Sequence, residues 1–481
     1  MNEKPITCVW EITMGCNMRC KHCGSSCMEP LPDELSTQQA LSICDQIADM
    51  GLRWVTISGG EPLTRDDTPD IVRYLASKGV SVNLITNGWL LDKEYALRLK
   101  NSNISTIAIS IDGTKEIHDS IRRIGSFERD EAAFHILKEL GITTGAVTTI
   151  SKKNLADMPA LKEKLIEMGV DSWQVQLGLP MGNFKEQPDW VLSPSDVNDV
   201  IDFCYETAKE GAIRIFPADC IGYYTKKELE IKRFSYHTQT PSSWSGCNAG
   251  VRSFGLLQNG DILGCTSIRS KEYIEGNLLK RSLRDIWEDS NAFQWRRSLE
   301  KSKLGGECQS CTYGSVCLGG CPNTRLTMNG SIYSENQFCA YNLVQKSWKE
   351  KFSKEQDVLV LHQMALKLIS NQNFQEASFA LSRILELSQS ADVYKEKAFC
   401  EYMCGNYSRC KEDNEKALDF DENDAYALKG LGIALFKLGS KEEGLSYLQK
   451  AAELTNYGDA DIVNDLYVVR SSMENMQHLY V

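Results

Sequence analysis

The chain has 481 residues, a formal net charge of −12 and 18 cysteines. It is too long for one typical core, so two or three domains are expected. The negative charge argues against a general nucleic-acid binder, and no run of about 18 apolar residues is present to form a transmembrane helix. Residues 1–5 carry both acid and base and lead straight into a strand, unlike a signal peptide, so the expected location is cytoplasmic. The cytosol is reducing, so disulfides do not account for so many cysteines. Their clustered spacing favours metal or cluster ligation instead.

Apolar, β-rich runs alternate with helical patterns through the first 180 residues. Strands are expected at 7–13, 54–58, 82–86, 106–111, 143–150 and 173–179, and amphipathic helices near 38–50, 69–78, 93–100, 129–140 and 158–168. This alternation predicts parallel pairing with right-handed crossovers. Six such units suit a doubly wound sheet or a partly closed barrel. In either, chemistry collects at the C-terminal ends of the strands.

The polar and glycine-rich residues fall at those ends. After the first strand come Cys16, Cys20 and Cys23, spaced Cys-x3-Cys-x2-Cys. Three thiolates on one loop can share a metal centre. A four-iron cluster takes four ligands, so three cysteines leave one iron open. A structural zinc site or a chance cluster is the alternative, although zinc sites usually pair Cys-x2-Cys with a second such pair. Later strands end in Gly59-Gly60-Glu61-Pro62, Thr86-Asn87-Gly88 and Ser110-Ile111-Asp112-Gly113, followed by His118, Asp119, Arg122 and Gly125-Ser126-Phe127. Each motif alone reads as a tight turn. Four in series on one face point to a small polar ligand lying across the rim.

In this order the motifs resemble the radical S-adenosylmethionine (SAM) superfamily, over about residues 5–215. The resemblance implies a partial (β/α)6 TIM-type barrel in which Cys16, Cys20 and Cys23 hold a [4Fe–4S] cluster. The open iron would chelate the amino and carboxylate groups of SAM. One electron would then release a 5′-deoxyadenosyl radical that takes a hydrogen atom from the substrate. The backbone and carboxylate at Gly59, Gly60 and Glu61 would face the SAM ammonium. Arg122 would pair with the SAM carboxylate, a task suited to a guanidinium fork. Ser110 and Asp112 would bond the ribose or hold the rim, with Asp112 alternatively bracing the turn at Gly113. Asn87 would cap the site, and Met18 would pack on the adenine or shield the cluster. Cys27 is read as a bystander, because a fourth cysteine would leave SAM no iron.

Residues 216–244 read as a bridge. A second array then follows: Cys247, Gly260, Cys265, Cys308, Cys311, Cys317, Cys321 and Cys339, with a hairpin turn at Gln258-Asn259-Gly260-Asp261. A zinc-ribbon-like domain is the alternative, but Cys-x2-Cys-x5-Cys-x3-Cys is not a zinc spacing. Over about residues 245–345 the array resembles the SPASM extension of peptide-modifying radical SAM enzymes. That resemblance implies two auxiliary [4Fe–4S] clusters. Cys308, Cys311, Cys317 and Cys339 would hold the outer one, and Cys247, Cys265 and Cys321 the inner one. The fourth inner ligand is open: Cys220, another residue, or an iron left for substrate. Sulfatase-maturating relatives carry an aspartate base directly after the cysteine matching Cys265. Here Thr266 and Ser267 follow, which counts against that activity.

From about residue 355 to 481 the pattern becomes helical and repeats at an offset of 34, Ala391 through Ala417 recurring as Ala425 through Ala451. This resembles tetratricopeptide repeats (TPR), an all-α array whose concave face commonly holds a peptide. Small residues Gly432, Ala434, Gly444 and Ala451 suit close helix pairs, while Cys400, Cys404 and Cys410 read as buried apolar residues. The segment carries 21 acidic and 12 basic side chains, a balance of −9. A solvated helical surface explains that charge, and a basic-peptide site is the sharper alternative. Many peptide-modifying relatives have an N-terminal leader-binding domain. With the first strand starting near residue 6, the repeats are expected to take that role or to dock a protein partner.

The expected activity is that of a radical SAM/SPASM maturase acting oxidatively on a ribosomal precursor peptide, supplied with electrons by flavodoxin or ferredoxin. The alternatives are a sulfatase-maturating-type oxidase, a small-molecule dehydrogenase, and a non-enzymatic iron–sulfur sensor or scaffold working through its repeats.

Overall fold

Alternating burial along the strands builds the first sheet. In β1 (Thr7–Glu11) the side chains of Cys8 and Trp10 are fully buried, as are Val55 and Ile57 of β2 (Trp54–Ser58) and Val82 and Leu84 of β3 (Ser81–Thr86). Ile107 and Ile109 continue this face in β4 (Thr106–Ser110). β5 (Thr143–Ile150), β6 (Ser172–Leu177) and β7 (Arg214–Pro217) complete a run of parallel strands in chain order. The apolar face packs against the connecting helices in one continuous core. The opposite parity places small or polar residues on the uncovered, inward face: Thr56, Asn83, Ala108, Ser110, Gln174 and Gln176, none of them fully buried. That face is the floor of a partial barrel.

This computed structural model describes residues 4–218 and 220–477, and the chain forms two units, Met1–Leu343 and Val344–Val481. Two features of the first unit depart from the expected six-strand barrel. β7 adds a seventh parallel strand. Beyond β1, β8 (Ser253–Leu256) pairs parallel with it, and β9 (Asp261–Leu263) and β10 (Ile274–Asn277) follow antiparallel. The sheet order is therefore β10-β9-β8-β1-β2-β3-β4-β5-β6-β7. The second cysteine array thus begins within the barrel's own sheet, because the edge of β1 offers unpaired backbone groups that β8 satisfies. The hairpin turn expected at 258–261 joins β8 to β9, with Gly260 at φ +87°.

In the second unit, helices pair in succession: Val358–Ser370 with Phe374–Leu387, Ala391–Met403 with Tyr407–Leu418, and Ala425–Leu438 with Lys441–Leu454, followed by Ala460–Gln477. Asp357 and Asp424 cap two of the first helices through backbone N–H groups. Gly432 and Gly444 mark a close crossing. A Cβ on Gly432 would stand 2.7 Å from the Gly444 carbonyl, and one on Gly444 would stand 2.5 Å from the Gly432 carbonyl. Cys400 and Cys410 are buried among apolar residues, and Cys404 is half-buried. Ion pairs between successive helix pairs, Lys395–Asp424 at 2.6 Å and His362–Glu396 at 2.7 Å, add register.

Candidate active site

The loop after β1 carries the first three cysteines, and its shape is set by the β2 turn beneath it. The Gly60 N–H donates to the Thr13 carbonyl (2.7 Å) and the Glu61 N–H to the Gly15 carbonyl (2.8 Å). A Cβ on Gly59 would lie 2.4 Å from Thr13 O, and one on Gly60 2.2 Å from Gly15 O. Only glycine permits this approach. The Gly59 and Gly60 carbonyls accept no hydrogen bond from the described residues, which leaves two acceptors on the rim.

Cys16, Cys20 and Cys23 lie within electrostatic reach of one another. Burial pushes Cys20 up to about 12, and Cys16 also rises. The nearby Arg122 guanidinium opposes the shift at Cys20. Cys23 moves the other way, to about 5, because the Cys27 thiol donates to its sulfur. Cys27 is buried beside Cys23, and its hydrogen bond goes to that sulfur. Among the described residues, no three His, Cys, Asp or Glu side chains converge closely enough to share a single ion.

Three rim carboxylates and amides turn out to brace the loops. Glu61 is fully buried, and both its oxygens are taken: the Thr86 hydroxyl (2.7 Å) and Leu63 N–H (3.0 Å) donate to Oε1, and the Asn87 N–H (2.7 Å) to Oε2. The carboxylate ties the β2 turn to the end of β3. Asn87 donates through Nδ2 to Asn17 Oδ1 (2.7 Å) and lies 3.9 Å from Cys16 Sγ, so it holds the cysteine loop down. Asp112 is likewise saturated. Thr149 N–H (2.9 Å) donates to Oδ1, and His22 Nε2 (2.8 Å) and Arg122 Nε (2.5 Å) meet Oδ2. Asp112 thus holds His22, Arg122 and the end of β5 together at the rim. Although burial pushes the other way, Arg122 and His22 hold its carboxyl well below the usual range. Arg122 keeps its Nη groups without a hydrogen-bond partner among the described residues, and so does the Ser110 hydroxyl. Met18 is buried.

Several residues beyond the motifs complete the site. His22, between the second and third cysteines, is anchored by Asp112. Asn183, past β6, donates through N–H to Cys23 O (2.9 Å) and through Nδ2 to Cys20 O (3.1 Å). Gly182 must be glycine there, since its Cβ would stand 2.5 Å from Cys23 O. Glu11, at the end of β1, is paired with Arg269, whose Nη2 also donates to Ser25 Oγ (2.6 Å). Burial lifts Glu11 to about 7 against the pull of Arg269, and it is within electrostatic reach of both Cys23 and Cys265. In the sequence it is only a charged residue inside the β-rich run 7–13.

In the second array, Cys308, Cys311, Cys317 and Cys339 line one cavity together with Tyr223, Tyr224 and Asn342. Backbone N–H groups face these sulfurs, Asn336 N–H lying 3.5 Å from Cys308 Sγ. Donors of this kind stabilise ligating thiolates. Cys265 and Cys321 are electrostatic neighbours, and burial raises Cys265 to about 11. The Ala249 N–H donates to Cys247 Sγ (3.5 Å). Cys220 Sγ accepts from Leu177 N–H (3.4 Å), and Tyr223 lies near both Cys220 and Cys321. Thr266 offers no carboxylate after Cys265.

The sequence model of the radical SAM superfamily matches residues 10–165, and that of an iron–sulfur cluster-binding domain, SPASM, matches residues 247–312. The AdoMet-dependent heme synthase of Methanosarcina barkeri is 32% identical over 354 residues, covering 71% of this chain and 98% of that protein. The chain belongs to the radical SAM superfamily. Mycofactocin maturase MftC of Mycobacterium tuberculosis is 29% identical over 66% of this chain and 78% of its own length. Among solved structures, Streptococcus suis SuiB bound to S-adenosylmethionine superposes with a TM-score of 0.57 at 20% identity, over 70% of this chain and 77% of that one. This radical SAM/SPASM protein is an enzyme. Its cofactors are SAM, a SAM-binding [4Fe–4S] cluster and auxiliary clusters. The residues present suit them: a trio of thiols, Cys20 buried and Cys16 and Cys23 half-buried, beside a guanidinium, and a four-cysteine cavity. No helix among the described residues is long and apolar enough to cross a membrane.

Proposed function

We propose that this enzyme is a maturase that oxidatively modifies a ribosomally made precursor peptide, installing a thioether, a carbon–carbon crosslink or a related bond. The observation carrying this reading is the array of helix pairs from Val358 to Gln477, joined to a catalytic unit with two cysteine arrays. A small metabolite needs no such surface, whereas stacked helix pairs suit an extended chain. The kinship with a named maturase agrees.

In this reading Cys16, Cys20 and Cys23 hold the SAM-binding cluster, which when bound supplies the electron for reductive cleavage of SAM. The Gly59 and Gly60 carbonyls accept from the SAM ammonium, the Arg122 Nη groups pair with its carboxylate, and the Ser110 hydroxyl meets the ribose. Glu61, Asn87 and Asp112 keep those groups in position. Cys308, Cys311, Cys317 and Cys339 hold the outer auxiliary cluster, and Cys247, Cys265 and Cys321 the inner one. Iron and sulfide quantitation of a Cys220→Ala variant decides whether Cys220 is its fourth ligand. Flavodoxin or ferredoxin delivers electrons in the cytoplasm, and the TPR-like repeats hold the leader peptide or a partner protein.

The test is to end the chain after Lys354 and titrate a precursor peptide encoded beside the gene. The expected result is at least tenfold weaker binding with 5′-deoxyadenosine formation retained. Unchanged affinity sinks the docking role. A second reading, a haem-forming reaction, is favoured by the 32% identity to a heme synthase over 98% of its length. Incubation with SAM, dithionite and an iron coproporphyrin separates the two: porphyrin conversion, with every candidate peptide unchanged, overturns the peptide reading.

A further inference from the structure

Arg325 lies in the helix Pro322–Asn329, one turn after Cys321, and its side chain is among the most deeply buried in the protein at 1% exposure. Among the described residues, its Nε and Nη1 have no hydrogen-bond partner and no carboxylate pairs with it. A guanidinium does not shed its proton in a protein. A buried charge without a counter-charge is strongly disfavoured, so this cation requires an anion that the polypeptide's carboxylates do not supply.

The surroundings identify that anion. The guanidinium lies against the turn formed by Gly319 and Gly320, which links Cys317 to Cys321. Gly319, at φ +78°, has no room for a side chain, since a Cβ there would stand 2.9 Å from Arg325 Nη1. The Asn336 side chain fixes the same turn by donating to Gly319 O (3.3 Å). Arg325 is within electrostatic reach of Cys308, Cys317 and Cys321. These sulfurs belong to two different ligand sets. A cubane held by cysteine thiolates carries net negative charge, and nearby charge is one of the levers that set its reduction potential.

We propose that Arg325 is a shared counter-cation lying between the two auxiliary clusters, and that it raises the reduction potential of both. The proposal rests on the assignment of Cys308 and Cys317 to the outer cluster and Cys321 to the inner one. Reduction adds negative charge to a cluster, so an adjacent fixed cation favours the reduced form. Each auxiliary cluster becomes a better acceptor for an electron leaving the active site, and the two respond together to one residue.

The test uses the reconstituted full-length enzyme and its Arg325→Gln and Arg325→Lys variants, with potentials read by redox titration under electron paramagnetic resonance. In the Gln variant the reduced-to-oxidised ratio of the auxiliary clusters, at the parent's midpoint, should fall at least tenfold, which is about 59 mV for a one-electron couple. The Lys variant should stay nearer the parent, and the SAM-binding cluster should not move. Unchanged auxiliary potentials in a fully loaded Gln variant overturn the proposal. A parent that binds less than three clusters of iron overturns the ligand assignment instead. If the Gln variant loads poorly, the iron-free proteins are compared. Without clusters the buried charge is uncompensated, so the Gln variant should then melt above the parent. Melting below the parent overturns the proposal.

Discussion

Replacing Asp112 with Asn removes the charge at the centre of the rim while keeping its shape. Asp112 accepts from Thr149 N–H, His22 Nε2 and Arg122 Nε. An amide has one acceptor oxygen. If that oxygen faces Arg122 and His22, the NH2 group meets the Thr149 N–H; turned round, it meets Arg122 and His22. Either way a buried donor loses its partner, and Arg122, with its side chain only 10% exposed, loses its counter-charge. Breaking a buried pair from one side costs about 3–5 kcal/mol. At about 2 °C per kcal/mol for a large unit, the first unfolding transition should fall by roughly 6–10 °C. The carboxyl is held well below its usual range, so its contribution is complete above about pH 4 and lost only as pH falls further. The deficit should therefore be constant from pH 5 to 8. A mis-aimed Arg122 should also weaken its proposed pairing with the SAM carboxylate, worth about 1.5–3 kcal/mol, or roughly 10- to 100-fold in SAM affinity by calorimetry. A variant that melts within 2 °C of the parent and binds SAM equally well would refute the bracing role.

Asp130, buried in the helix Ser126–Glu139, lies 3.3 Å from Nε2 of the buried His118, and the Asp130→Asn variant should make stability depend on pH. Burial holds His118 to about 3 and lifts Asp130 well above its usual value, so the folded pair keeps one proton, as the unfolded pair does between about pH 4 and 6.5. Without Asp130 the folded state binds none there, and stability should fall by about 1.4 kcal/mol per unit as pH drops below 6.5; parallel melting profiles for parent and variant would contradict this. Gly60→Ala forces a Cβ to within 2.2 Å of Gly15 O, so iron analysis should find one cluster missing, with a loss of about 1–3 kcal/mol from overpacking. Cys27→Ala should retain full iron and 5′-deoxyadenosine formation, because Cys27 serves Cys23 as a donor; loss of one cluster's iron would make it a ligand.

Where the sequence was readable, one chemical property dominated. The strands from β1 to β6 stood out because β-rich apolar runs alternate with amphipathic helices, and the glycines at 59 and 60 because only they fit beneath the cysteine loop. β7 escaped because it is four residues long and ends in Pro217, with only Ile215 fully buried. The pairing of β8 with β1 is a contact across more than 240 residues that no local pattern announces. The partners of Glu61 and Asp112 were not legible for a different reason. A motif shows that a carboxylate is present, but not that Thr86, Asn87, Thr149 and Arg122 have already used it. His22, Asn183, Glu11 and Arg325 become functional candidates only when separate segments fold against them.

The most direct test is to compare the anaerobically reconstituted enzyme with its Cys16→Ala, Cys20→Ala, Cys23→Ala triple variant, each with dithionite and SAM, and to measure 5′-deoxyadenosine alongside iron per chain. The parent should form 5′-deoxyadenosine, while the triple variant should form none yet retain the iron of two auxiliary clusters. Nucleoside formation by the triple variant, or its absence from a fully loaded parent, would contradict the assignment of Cys16, Cys20 and Cys23 as the SAM-binding centre.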